Sequence, residues 1–360
     1  MSVNEQSTDP ALGELIRTEV ARTIQRAIKG VQYFSSPDPA VAQTPKDTIY
    51  RRGTLELHHY RPVCEEIYRV PIVLVMSLVS KAFIFDLGPG QSLVEFLTKK
   101  GYDVYLIDWG VPRPEDKRLR LEDYVLDFMS DCATRIAADS SEVELSMLGY
   151  CMGGQLALMY AAVHKERPLK NLICLTTPVD SEGMGLFRTW SDKRYFDVDN
   201  IVDTLGNVPA EMMYNSFQML RPAQRMMSEI RLWDNMWNDD FVRSYRLIDR
   251  WGREQIPFPG ECFRQMTKEI TWENKLYKNE LLLGGKLVDL RNINAAFLAV
   301  MAQHDHIVPF ESAKQVLKMI GSTDKEDVVM KGGHVSVLAG PNASGRLWPV
   351  LDRWLAPRSV

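Results

Sequence analysis

Three side chains have the types and local settings that acyl transfer needs: a cysteine at 151, an aspartate at 305 and a histidine at 334. Cys151 stands in Gly149-Tyr150-Cys151-Met152-Gly153-Gly154, between an apolar run at 145–148 and an apolar, helix-like stretch reaching residue 161. A nucleophile flanked by glycines two residues away on each side, between strand and helix, marks a strained turn that lifts the reactive atom clear of the sheet edge. Sulfur stands here where oxygen is usual. Glycine is needed at 149 and 153 because a side chain at either would collide with neighbouring backbone. The turn also aims a helix N-terminus at the thiol, which favours a thiolate and a later oxyanion. A cysteine in apolar surroundings is more often a packing residue than a nucleophile. Its partners therefore decide the matter.

Asp305 lies in Gln303-His304-Asp305-His306-Ile307-Val308-Pro309, just past a strand-like run at 297–301, and His334 lies in Gly332-Gly333-His334-Val335, just past another at 328–330. Taken alone, Asp305 could cap a turn before Pro309 and His334 could be a buried structural histidine. Together with the turn at Cys151 they follow the chain order nucleophile, acid, histidine, each after a strand, so that all three fall at one sheet edge. In that arrangement His334 is the base and Asp305 orients it. The amide of Met152 is the first oxyanion donor, and the second comes from Val79 or Ser80, in the loop after the strand at 72–77. His306, Trp109 and Tyr150 are candidates for the pocket wall. His58 and His59, in an early strand, and His164, at a helix end, read as structural.

Cysteine rather than serine matters chemically. An acyl group held on sulfur is still a thioester, so exchange from a thioester donor is nearly balanced and the acyl group stays activated for transfer to a hydroxyl. This suits an acyltransferase better than a hydrolase.

The elements that must position these groups alternate strand and helix. Strand-like runs at 55–59, 72–77, 104–107, 145–148 and 172–176, with helical stretches at 92–100 and 121–138, point to an α/β chain with a mostly parallel, doubly wound sheet: the α/β-hydrolase fold. From about 179 to 293 the alternation stops in Met-rich, mostly helical sequence carrying Trp190, Trp233, Trp237, Trp251 and Trp272. An insertion of that size between strands is expected to lie as a cap over the strands' C-terminal ends. The expected division is an N-terminal amphipathic helix and linker at 1–45, the first part of the core at 46–180, the cap at 181–292 and the second part of the core at 293–360. Asp9-Pro10 reads as a helix start, and apolar residues from Leu12 to Val31 recur at helical spacing, a stripe for the chain's own core or for a partner helix.

With 360 residues, 45% of them hydrophobic, the chain can bury a large core. Its 43 basic and 47 acidic residues give a formal charge of -4 and offer no general electrostatic case for nucleic acid. Five cysteines without paired spacing argue against a disulfide framework or a zinc site and suit a reducing cytoplasm. No apolar run nears the roughly 20 residues that span a bilayer, and the first ten residues lack the apolar core of a signal peptide.

Gly149-Tyr150-Cys151-Met152-Gly153-Gly154, Leu106-Ile107-Asp108-Trp109-Gly110, Thr177-Pro178-Val179-Asp180, Asp305-His306 and Gly332-Gly333-His334 resemble the polyhydroxyalkanoate synthases, from about residue 48 onward. The short N-terminal extension is similar to the two-component classes, III and IV. The resemblance implies a cytoplasmic enzyme on polyester granules that polymerises (R)-3-hydroxyacyl-CoA, most often 3-hydroxybutyryl-CoA, and releases CoA. It makes Cys151 the polymer-bearing nucleophile, His334 the base and Asp305 the acid that assists elongation. It further implies a second synthase subunit, a homodimer, and no metal or redox cofactor. The sequence departs from the family at Ser80 and Ala82, where an Asn and often a Pro are usual, and at Lys331, ahead of the glycine pair. The alternatives are a cysteine-dependent thioesterase or ester hydrolase of the same fold, and a non-catalytic granule scaffold.

Overall fold

The computed structural model describes residues 10–360; Asp9, expected to cap the first helix, lies outside them. Strands β1 (Lys46–Arg52), β2 (Leu55–Tyr60), β3 (Ile72–Val75), β4 (Val104–Asp108), β5 (Ser146–Tyr150) and β6 (Asn171–Leu175) precede a small hairpin, β7 (Leu282–Leu283) and β8 (Lys286–Leu287); β9 (Ala296–Ala302) and β10 (Lys325–Met330) follow. Eight of them form one sheet in the order β1-β2-β4-β3-β5-β6-β9-β10. From β4 to β10 all pairs are parallel. The β1–β2 edge is antiparallel, joined through Gly53 at φ +62°, and β2 runs antiparallel to β4. The strand-like run at 55–59 is therefore the antiparallel part of a mostly parallel sheet, and β1 beside it is a strand that the sequence does not announce. Lys-Asp-Thr-Ile-Tyr-Arg-Arg shows too little apolar alternation to announce an edge strand.

The sheet's interior strands are apolar because both faces are covered. On one face Val73, Val75, Tyr105, Ile107, Met147, Leu172 and Phe297 pack with Met129, Cys132 and Ile136 of a helix spanning Met129–Ser140. On the other, Ile72, Leu74, Val104, Leu106, Leu148, Ile173 and Leu298 meet Leu93, Val94 and Leu97 of a helix spanning Leu93–Lys99, and Leu347, Trp348 and Leu351 of the C-terminal helix Pro341–Leu355. The two-residue alternation of each strand thus divides its side chains between two cores. The helix Met152–Val163 is buried on nearly every side, as its Gly-Gly-Gln-Leu-Ala-Leu-Met-Tyr-Ala-Ala composition requires.

Between β6 and β9 lie helices Leu186–Trp190, Val198–Leu205, Ala210–Met219, Pro222–Asp234 and Asp239–Arg253. Phe187, Trp190, Met212, Met213 and Phe217 of these helices share the wall of one cavity with Cys151 and Met152, just past the C-terminal end of β5. The first helix, Pro10–Ser35, rests on this region with its cationic face: Lys29 pairs with Asp239 at 2.7 Å, Arg26 donates to the Asp234 carbonyl at 3.2 Å, and Arg22 lies over Trp237. Its apolar stripe is turned outward. Leu12, Ile16, Val20, Ile24, Ile28 and Val31 are each at least 52% exposed. The possibility that the stripe docks on the chain's own core is therefore excluded, because the face carrying the three cations takes that place.

His59 sits between two carboxylates, 2.7 Å from Asp103 and 2.8 Å from Asp139, and stacks on Tyr105. Burial would lower its pKa, but the hydrogen bonds and charges of Asp103 and Asp139 prevail and raise it. A raised folded-state pKa contributes stability that is complete below the unfolded value of 6.5 and fades as pH climbs through the folded one. His59→Asn is expected to cost about 1–3 kcal/mol in urea unfolding at pH 6 and clearly less at pH 9.5. An equal cost at both pH values would contradict the charged state assigned to His59.

Candidate active site

Cys151 sits at the end of β5 with φ +56° and ψ −125°, a conformation disfavoured for any residue with a Cβ, and its amide donates to the Leu175 carbonyl at 2.9 Å. Glycine makes this bend possible. A Cβ on Gly153 would run into the Val75 carbonyl and one on Gly149 into the Gly153 backbone, so the helix Met152–Val163 could not start so close to β3 and β5. The Met152 amide occupies the first helical position, where it has no intrahelical acceptor.

His334 opens the helix His334–Leu338 just after β10, and Asp305 follows β9. Their side chains meet at 2.7 Å, His334 Nδ1 to Asp305 Oδ2, and are almost wholly shielded from solvent. The other carboxylate oxygen of Asp305 accepts from the amides of Ile307 (2.9 Å) and Val308 (2.8 Å), which fixes the carboxylate plane. Burial alone would lower the pKa of His334, but the charges of Asp305 and Cys151 and hydrogen bonds to both raise it to about 10. The three groups from three strand ends thus converge. Tyr150 closes the back, its ring tilted against His334 at 5.0 Å and its hydroxyl donating to the His334 carbonyl.

Two cavities reach Cys151. The larger, about 740 Å³, is lined by Val79, Ser80, Tyr150, Cys151, His306 and His334, and also by Arg221, Arg225 and, on the first helix, Tyr33 and Phe34. The smaller, about 260 Å³, runs beneath the inserted helices and is walled by Met152, Phe187, Met213, Phe217, Phe258 and Ile307. Val79 borders both. Burial and the Arg221 charge lower the pKa of His306, so it presents a neutral ring to the larger cavity.

Trp109 requires a correction: it lines neither cavity. It is buried, packs edge-on against Tyr124 and donates its indole N–H to the Met76 carbonyl at 2.8 Å. The Asp-Trp-Gly segment turns inward after β4, which the motif alone does not reveal. His58 bonds Thr48, and His164 stacks on Tyr160 and bonds Glu166. Among the other thiols, burial pushes Cys132 and Cys174 up to about 12 and raises Cys262 as well. Among the described residues no cluster of three or more His, Cys, Asp or Glu is arranged to hold a metal ion.

Asp305 fills both of the roles open to it in the sequence, capping the turn before Pro309 through the Ile307 and Val308 amides while its other oxygen meets His334. The residues missed in the sequence are Glu254, Gln255 and Ile256, which stand beside the Val79–Lys81 loop without any motif.

An α/β-hydrolase fold family model matches residues 85–341, and a model of the poly-beta-hydroxybutyrate polymerase (PhaC) N-terminus matches residues 37–97. The chain is 35% identical to a poly(3-hydroxyalkanoate) polymerase subunit PhaC of Haloarcula marismortui, over 95% of this chain and 74% of that one. It is 34% identical to the Haloferax mediterranei subunit, over 89% of this chain and 65% of that one. A Thiocystis violacea subunit is 30% identical over 88% of this chain and 89% of its own length. Among solved structures, a monoglyceride lipase variant from Saccharomyces cerevisiae superposes with a TM-score of 0.56 at 15% identity, over 90% of this chain and 100% of that one. MenH from S. aureus gives 0.54 at 16%, over 84% and 99%. These two similarities concern the fold.

Proposed function

This chain belongs to the poly(3-hydroxyalkanoate) polymerase subunit PhaC family, and from that membership we propose that it is an acyltransferase that polymerises (R)-3-hydroxyacyl-CoA, with 3-hydroxybutyryl-CoA as the first choice of monomer, through acyl groups held on Cys151. The observation that carries the reading is a cysteine, not a serine, at the strained turn, backed by the buried His334–Asp305 pair.

In the first half-reaction His334 takes the thiol proton, Cys151 Sγ attacks the thioester carbonyl, and the amides of Met152 and of the Val79–Ser80 loop receive the oxyanion. CoA leaves as a thiolate, takes the proton from His334, and one thioester has replaced another. In the second, His334 takes the proton of an incoming hydroxyl, that oxygen attacks the acyl-cysteine, an ester forms and the Cys151 thiolate is released to be reprotonated. Asp305 holds the imidazole through both steps. Each monomer added releases one CoA. The larger cavity, with Arg221 and Arg225 in its wall, suits the anionic CoA portion, and the smaller, apolar cavity suits the acyl chain.

Incubation with 3-hydroxybutyryl-CoA tests the assignment. Polymerisation gives CoA and turbid polyester; a thioesterase gives CoA and free acid, and a scaffold gives neither. Free acid as the main product would overturn it.

The reading includes a second synthase subunit, self-association as a homodimer and residence on polyester granules in the cytoplasm. No described helix is long and apolar enough to cross a membrane. The outward stripe of the first helix is the candidate docking face for the subunit: Val20, Ile24, Ala27, Val31 and Phe34 recur at alternating spacings of four and three, the seam a partner helix would enter. Replacing Leu15, Val20 and Ile24 by Ser is expected to weaken co-purification with the second subunit at least tenfold, with the unfolding midpoint of the core unchanged. Undiminished co-purification would place the subunit elsewhere.

A further inference from the structure

The oxyanion loop is held from the cap. Residues 251–256, the end of the helix Asp239–Arg253 and the turn after it, bond the loop at three successive residues. The Ile256 amide donates to the Val79 carbonyl at 3.1 Å, the Ser80 hydroxyl donates to Gln255 Oε1 at 2.8 Å, and the Trp251 indole N–H donates to the Lys81 carbonyl at 2.8 Å. Lys81 adds an ion pair to Glu254 at 3.2 Å. Gln255 is itself held, because its Nε2 donates to the Gly252 carbonyl at 3.1 Å and so leaves Oε1 facing Ser80. On the core side the loop has a separate anchor, Trp109 to the Met76 carbonyl.

Peptide planarity gives these bonds a directional consequence. The carbonyl of Val79 and the amide of Ser80 belong to one trans plane and point opposite ways, so a cap that holds the carbonyl also aims the N–H. The Ser80 side-chain bond fixes the same plane from its other end. Val79 and Ser80 border the cavity that holds Cys151 and His334, and both are nearly fully buried. A donor misaimed by a fraction of an ångström loses most of its hold on a developing oxyanion while still allowing substrate to enter.

We propose that Ser80 and Gln255 are positioning residues: through their hydrogen bond the cap sets the direction of the second oxyanion donor, so that acylation of Cys151 is fastest only with the cap seated. The proposal rests on the polymerase reading given above. It also gives Ser80 a role, since its hydroxyl reaches the cap.

The test compares the full-length wild type with Ser80→Ala, Gln255→Leu, the double variant and Ser80→Thr, measuring single-turnover CoA release from 3-hydroxybutyryl-CoA over a range of substrate concentrations. Ser80→Ala and Gln255→Leu are each expected to slow the acylation step by about 10- to 100-fold, with half-saturation changed less than about twofold. The double variant should be no slower than the worse single, and Ser80→Thr, which keeps the hydroxyl, should recover most of the rate. Wild-type rates in both single variants, a loss confined to half-saturation, or losses that multiply in the double variant would each overturn the proposal. Should Ser80→Ala not fold, Gln255→Leu and Ser80→Thr carry the same comparison, since Gln255 is only half-buried. A wild type that releases no CoA would instead refute the polymerase reading, and is distinguishable at once.

Discussion

Cys151→Ala will release CoA from 3-hydroxybutyryl-CoA at no more than background, a loss on the order of 10⁴-fold or more, while the protein unfolds at its usual midpoint. The methyl group of alanine fits the same strained turn, so the loss is chemical rather than structural. Cys151→Ser is the sharper variant. It keeps a nucleophilic atom beside His334 but would hold the acyl group as an oxygen ester, and transfer from thioester to ester is no longer balanced by an equal bond in reverse. The serine enzyme is therefore expected to stall after at most one acylation and to make no polymer. Polymer mass over time decides both: sustained polymer formation by Cys151→Ala would remove Cys151 from the mechanism, and sustained formation by Cys151→Ser would show that the thioester link is dispensable.

His334→Gln is expected to lower both half-reactions by about 10³-fold, because one ring serves as base for the thiol and later for the hydroxyl. The pair with Asp305 sharpens the expectation. Asp305 is bonded by two backbone amides and by His334, so removing the ring leaves a buried carboxylate with one partner fewer, and a loss of stability should accompany the loss of rate. Rate and stability separate the effects: thermal unfolding reports the second, and pre-steady-state CoA release at a temperature where the variant stays folded reports the first. A His334→Gln enzyme acylating within tenfold of wild type would show that another group takes the proton.

The reactive groups were legible because each stands after a strand in a short glycine- or turn-marked segment. Gly149 and Gly153 announced a bend, the run at 145–148 announced the strand before it, and the order Cys151, Asp305, His334 did the rest. The interior strands were legible for a related reason, since β3 and β5 are buried along their whole length and carry almost no polar residue. What failed to show was everything decided by tertiary packing. Trp109 resembled a pocket residue, yet the turn after β4 sends it inward to Met76. The strand β1 is mostly polar, with only Ile49 and Tyr50 to mark it, because an edge hairpin faces water. The first helix was readable as amphipathic, but which face docks depended on Asp239 and Trp237, more than 200 residues away. Gln255 sits in a segment with no motif and acquires its place only when the cap folds over Ser80.

The central claim is that the growing acyl chain is carried on Cys151 as a thioester. Acid quenching during turnover of 3-hydroxybutyryl-CoA, followed by peptide mapping by mass spectrometry, tests it most directly. The expected result is a ladder of additions on the peptide containing Cys151, spaced by one hydroxybutyryl unit and removed by neutral hydroxylamine as a thioester is. Turnover with that peptide unmodified, or a ladder attached to any other residue, would contradict it.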